Sequence, residues 1–120
     1  MTQRRRDEHS TEFGLWLRDQ AEIDSGLGYI ATNIDYVWGN YKNGQWMIIE
    51  EKRYGHYPKP YQAKILNLLD ACCKHNKYFR GVHLLVFEKT SPDDGKIFWD
   101  RREITKEQLL GLLTFKIWSI

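Results

Sequence analysis

The sequence predicts one mixed α/β (α+β) domain, a central sheet of parallel and antiparallel strands flanked by helices. Apolar residues at helical spacing lie near 13–21, 65–73 and 109–113, and β-prone runs lie at 29–38, 45–52, 82–88 and 96–100. The turn-forming dipeptide Asn43-Gly44 joins two of those runs. The order read from the chain is helix, three strands, helix, two strands, helix, and such elements bury their apolar sides by packing helices on a sheet.

A chain of 120 residues supports one core and not two. With 42% hydrophobic and 28% charged residues the composition is globular, which excludes a fully disordered chain. The apolar run Val82–Phe87, interrupted by His83, is far short of the ~20 residues that span a bilayer. Met1-Thr2-Gln3-Arg4-Arg5-Arg6 begins like a signal-peptide n-region, but Asp7-Glu8-His9 follows where apolar residues are required. A cytoplasmic protein with no membrane contact is therefore expected. The net charge of +2 is too small to identify a nucleic-acid partner by itself. Cys72 and Cys73 are sequence neighbours, a poor geometry for a disulfide, so two reduced, buried thiols are expected.

Residues 1–10 are polar and basic and read as a flexible arm ahead of a single domain over 11–120. Ser10 or Thr11 suits the cap of a first helix with Phe13, Trp16, Leu17 and Ala21 on its apolar face, and Ser25-Gly26-Leu27-Gly28 breaks it. Tyr29–Trp38 and Gln45–Lys52 read as strands around the Asn40–Gly44 turn. Pro60 suits the first turn of a second helix, which carries Ile65, Leu68, Leu69, Cys72 and Cys73 and ends near His75-Asn76. Val82–Glu88 is apolar enough for burial on both faces, Ser91–Gly95 turns, and Lys96–Asp100 returns as a strand. Thr105 and Gln108 form a capping box for a last helix through Leu109, Leu110, Leu112 and Leu113.

The chemistry concentrates in Trp46-Met47-Ile48-Ile49-Glu50-Glu51-Lys52, an apolar strand that ends in three consecutive charges. Side chains alternate along a strand, so Glu50 and Lys52 share one face and Glu51 points to the other. With Asn43 and Gly44 as a two-residue turn, Lys42 pairs with Gln45, Asp35 falls opposite Lys52, and Glu50 is its diagonal neighbour. Cross-strand neighbours lie roughly 5–8 Å apart, so the two carboxylates can share a divalent cation. Mg²⁺ prefers such hard oxygen ligands, typically one or two carboxylates plus phosphate oxygens and water. A lysine beside them can orient water or offset developing charge. The same trio also suits a cross-strand salt bridge at a sheet rim.

Asp35 followed by Glu50-Glu51-Lys52 at the end of an apolar strand resembles the PD-(D/E)XK nuclease superfamily. Its motif is an aspartate on one strand and an acidic-X-lysine triplet on the next. Asp35 matches the aspartate, Glu50 the acidic position and Lys52 the lysine, while Ile34 stands where the motif's name has proline. The resemblance covers about Thr11 to Glu88. It implies a restriction-endonuclease-like αβββαβ core, here with an added C-terminal strand and helix, and Mg²⁺-dependent hydrolysis of DNA phosphodiesters with Mn²⁺ as a substitute. Small versions are typical of phages and prophages, which implies the cytoplasm of a bacterial or phage-infected cell. By the same resemblance Asp35 and Glu50 hold the metal with the Glu51 carbonyl as a third ligand. Gln62 is similar to a glutamine that some branches use in catalysis, and Glu12 to an accessory acidic residue of others.

Beyond the triplet, Arg53, Lys59 and Lys64 alternate with Tyr54, His56, Tyr57 and Tyr61. Cations that meet phosphates and rings that meet bases make a nucleic-acid surface, although an ordinary wet surface has the same composition. The apolar end, Phe115, Ile117, Trp118 and Ile120, needs a cover, either the core or a second copy in a homodimer. The alternative to a nuclease is a non-catalytic nucleic-acid-binding or protein-interaction module that keeps the fold.

Overall fold

The computed structural model describes residues 11–120, so the basic arm expected over 1–10 lies outside the described residues. The chain divides into two compact units between Ala31 and Thr32. In the N-terminal unit Thr11 caps helix α1 (Glu12–Arg18), its hydroxyl accepting from the Gly14 N–H at 3.0 Å. Phe13 and Trp16 stack on one another at 6.0 Å, and both remain exposed. Two 3₁₀ turns follow, Ala21–Ile23 and Ser25–Leu27, and Gly28 stops the second at φ 101°, a conformation open to glycine.

The C-terminal unit is built on a sheet with strand order β1-β2-β3-β4-β5. The strands are β1 (Tyr36–Gly39), β2 (Trp46–Lys52), β3 (Phe79–Phe87), β4 (Ile97–Trp99) and β5 (Arg102–Ile104). Helix α2 (Pro60–Cys73) joins β2 to β3, which run parallel, and the other neighbours are antiparallel. The expected mixed sheet with helices is thus present. Two strands rather than three precede α2, and three rather than two follow it.

The run expected as a strand from Tyr29 to Trp38 pairs only from Tyr36, and residues 29–34 hold no regular structure. The reason is local: the Glu51 N–H donates to the Asp35 side chain at 2.9 Å, so a carboxylate takes the place of the next backbone acceptor. The hairpin also differs in its turn. Asn40 N–H donates to the Gln45 carbonyl (2.9 Å) and Gly44 N–H to the Asn40 carbonyl (2.8 Å), so residues 41–44 form the loop instead of Asn43-Gly44 alone. Tyr36 therefore faces Ile49 and Gly39 faces Trp46. One further step along this register sets Asp35 across from Glu50, not Lys52. The loop is longer by an even number of residues, so the side chains keep the expected face.

One face of the sheet carries the main core, where Met47, Ile49, Leu85, Phe87, Ile97, Trp99 and Ile104 meet Leu109 and Leu112 of helix α3 (Lys106–Leu113) and Phe115. The predicted capping box starts α3, with Thr105 and Gln108 exchanging bonds at 3.1 and 2.9 Å. Phe115 lies in this core and Ile120 packs against it, which leaves Ile117 and Trp118 of the apolar C-terminus exposed. The opposite face buries Ile48, Glu50 and Val86, with Leu66 of α2 as that helix's buried anchor.

The stripe of α2 departs from the expected one in part. Ile65, Leu69 and Cys73 are half-buried as expected, Leu66 is the buried residue, and Leu68 and Cys72 are exposed. The cysteines are free, as expected of reduced thiols, but they are not buried: Cys72 is exposed and Cys73 half-buried. No described helix is long and apolar enough to cross a membrane.

Candidate functional site

Four of the predicted site residues meet where β2 ends. Met47, Ile48, Ile49 and Glu50 are consecutive buried residues, because β2 lies inside the sheet and is covered on both faces. Glu50 consequently keeps only 3% of its surface exposed, an unusual depth for a carboxylate. Its Oε1 is shared by two donors, Gln62 Nε2 at 3.2 Å and Lys52 Nζ at 3.5 Å. Its Oε2 is buried and has no hydrogen-bond partner among the described residues.

Burial pushes the Glu50 pKa up to about 7, and the charge of Asp35 and a side-chain hydrogen bond with Asp35 add to the rise against the opposing pull of Lys52. A buried carboxylate oxygen is normally hydrogen-bonded, so the orphaned Oε2 beside a second carboxylate is the anomaly of this fold. Asp35 spends one oxygen, Oδ2, on the Glu51 N–H. That bond holds the aspartate at the mouth of the hairpin. Gln62 stands in the first turn of α2, which Pro60 opens at a favoured position. From that turn its side chain reaches Glu50 near the end of β2.

Glu51 points to the other face, as the alternation requires. It accepts from the Tyr36 hydroxyl at 3.1 Å and from Arg53 Nε at 3.0 Å. The bond to the Glu51 carboxylate raises the Tyr36 pKa. Glu51 thus joins the site only through its backbone, while its side chain is engaged elsewhere. Glu12 opens α1 in the N-terminal unit. Among the described residues no three His, Cys, Asp or Glu side chains gather as a metal-binding group, so the cluster offers two carboxylates, Asp35 and Glu50.

The residues expected to meet nucleic acid form the loop from Arg53 to Lys59, which is exposed apart from a half-buried Pro58. Tyr54 N–H donates to the Lys89 carbonyl at 2.9 Å and Gly55 N–H to the Phe87 carbonyl at 3.0 Å, so the loop is fastened to the end of β3. Arg101 lies over the Tyr57 ring at 4.6 Å, and Lys59 precedes α2 as its N-cap residue. His56 is exposed in the middle.

A second polar cluster escaped the sequence reading. His83, half-buried on β3 and stacked on Trp99 at 4.7 Å, sets Nδ1 2.7 Å from Asp100 Oδ2 and Nε2 against the Arg80 carbonyl. Burial pulls the His83 pKa down, but its bonds to Asp100 and the Arg80 carbonyl outweigh this and the net shift is upward. The available signal was only that a histidine interrupts an apolar strand. Its partner follows from where β4 docks, which no local pattern reveals. No family model, no curated protein and no solved structure matches the chain.

Proposed function

We propose that this protein is a metal-dependent nuclease that hydrolyses DNA phosphodiester bonds, with Asp35, Glu50, Lys52 and Gln62 as its site. The observation that carries the reading is the buried, partnerless Oε2 of Glu50 beside the Asp35 carboxylate. Burial and the neighbouring negative charge push Glu50 towards its neutral form, and a cation bound at the two carboxylates would favour its ionised one. Hard oxygen donors in excess of the local positive charge are what Mg²⁺ selects, and Mn²⁺ accepts the same set.

Asp35 and Glu50 would hold the metal, with the Glu51 carbonyl as a further oxygen. When bound, such an ion polarises a phosphodiester and acidifies a water ligand. The protein's own groups do the rest. Lys52, 3.5 Å from Glu50 Oε1, orients the attacking water and offsets negative charge that builds on the phosphate. Gln62 anchors Glu50 through Oε1, and its amide would orient the scissile phosphate or the attacking water. The restriction-endonuclease-like core remains part of this proposal, resting on the β1–β2 hairpin, the α2 crossover and parallel β3.

The test is incubation with closed circular single-stranded and duplex DNA in Mg²⁺, Mn²⁺ or EDTA, with Lys52→Ala alongside. Metal-dependent cutting that the variant loses supports the reading. Absence of cutting on circles and on added linear and branched DNA would leave a binding module, with the trio reduced to a salt-bridged rim.

A further inference from the structure

The loop that leaves the site has a feature the proposed chemistry does not require. Tyr54 holds φ at 55°, a left-handed backbone that residues with large side chains rarely adopt, and its ring is 63% exposed. The backbone bonds of Tyr54 and Gly55 to the end of β3 keep the loop in that shape. Tyr61, 51% exposed, stands one residue before Gln62 at the start of α2. In sequence, Tyr54 follows Lys52 by two positions and Tyr61 precedes Gln62 by one. Two exposed tyrosines are thus close in sequence to the residues that hold Glu50. Tyr57 lies between them in the chain, with one face backed by the Arg101 guanidinium at 4.6 Å.

Charge decides what meets these rings. Arg53, Lys59, Lys64 and Arg101 are exposed around them, and the stretch from Arg53 to Ala63 contains no acidic residue. Arg53 is partly spent on Glu51, which leaves Lys59, Lys64 and Arg101 to meet phosphates. A duplex offers phosphates and base edges, while its base faces are already stacked on one another. Only an unpaired strand presents base faces that a tyrosine ring can cover.

Resting on the nuclease reading of the site, we infer that its substrate is single-stranded DNA, with Tyr54 and Tyr61 stacking unpaired bases near the scissile phosphate. The rings fix bases without hydrogen-bond readout, so the strand is bound with little sequence preference.

Binding in EDTA separates this inference from catalysis. The probe is a fluorescein-labelled oligothymidine of about 16 nucleotides, compared by anisotropy with the same strand paired to oligodeoxyadenosine. The single strand should bind at least tenfold tighter than the duplex. Tyr54→Ala and Tyr61→Ala should each weaken it roughly 5- to 150-fold, with Tyr54→Phe near wild type and melting temperatures unchanged. Lys59→Ala should instead flatten the dependence of log K on log salt by about 0.7. Equal affinity for duplex and single strand, or tyrosine variants that bind like wild type, would overturn the inference whatever the cutting assay shows. Ring-dependent single-strand binding in a protein that cuts nothing would overturn the nuclease reading, and with it single-stranded DNA as a substrate, leaving a single-strand-binding surface.

Discussion

Two polar clusters lie on adjacent strands of one sheet and end in opposite states. On β3, His83 has an acceptor at each ring nitrogen, an aromatic ring beneath it and a net upward pKa shift that favours the doubly protonated form both acceptors require. Asp100 completes the arrangement by taking the Leu84 N–H on its other oxygen at 2.9 Å. The one buried nitrogen left over there, Arg80 Nε, belongs to a guanidinium that donates to the Lys77 carbonyl at 2.8 Å and lies over Trp118 at 4.1 Å. On β2, Glu50 is buried more deeply, yet one carboxylate oxygen has no partner and its nearest acidic neighbour repels it. His83 is satisfied within the fold, whereas Glu50 has Lys52 and Gln62 on one oxygen only. On the proposed reading a cation would complete the second cluster.

The largest effects should fall where the cluster is incomplete. Lys52→Ala and Glu50→Gln should each lower metal-dependent DNA cutting by at least about 100-fold, the scale of losing a group that stabilises developing charge, with circular dichroism unchanged. Glu50→Gln should in addition abolish the rise in melting temperature that Mg²⁺ gives the wild type, a stabilisation of about 2.7 kcal/mol at a hundredfold excess over Kd. A variant that retains the full Mg²⁺ shift would dissolve the contrast, because Glu50 would then be as finished as His83. The completed cluster should behave in the opposite way. His83→Ala should lower unfolding stability by about 1–3 kcal/mol in urea titrations, while cutting per folded molecule stays at the wild-type level.

The pH dependence sharpens the contrast. Both groups have raised pKa values in the folded protein, so both contribute stability that is lost as pH rises. For His83 the contribution is complete below its ordinary value of 6.5 and disappears as pH passes its raised folded value. For Glu50 the fold keeps a proton that the unfolded chain releases near 4.5, so metal-free protein should lose stability from about 4.5 up to about 7. Above that range Mg²⁺ should restore the Glu50 loss and leave the His83 loss untouched. Melting curves from pH 4 to 9, with and without Mg²⁺ and in Glu50→Gln, separate the two. A pH slope below about 6, under the His83 range, that survives Glu50→Gln would assign it elsewhere.

How much of this was readable in the sequence follows from the range over which each signal acts. The capping box at Thr105 and Gln108 and the cap at Thr11 are local and appear as expected. The shared face of Asp35, Glu50 and Lys52 depends only on parity, so it outlasts a turn that is longer than the Asn43-Gly44 pair. Elements shaped by their neighbours were not readable. β5 follows a turn at Asp100 and Arg101, both with positive φ (49° and 72°) and neither a glycine, and the Asp100 carboxylate steadies it by its bonds to β3. Glu50 looks in sequence like the polar end of a strand. Its burial arises because β2 lies between β1 and β3 and the first turn of α2 brings Gln62 onto it, while α2 buries Leu66 and leaves Leu68 exposed.

The smallest predicted effect asks which acid of the triplet belongs to the site. Glu51 has its own hydrogen-bonded partners in Tyr36 and Arg53, so its side chain is satisfied within the fold. Tyr36→Phe removes the hydroxyl that donates to it at a half-exposed position, where water replaces the lost donor. Such a bond should contribute at the lower end of the usual range, about 0.5 kcal/mol, seen as a slight fall in urea midpoint. Neither the Mg²⁺ shift nor the cutting rate should change, because the Glu51 side chain points away from Asp35 and Glu50. A Mg²⁺ shift that weakens in Tyr36→Phe while persisting in Glu50→Gln would transfer the cation to the Glu51 side and reverse the assignment of the two acids.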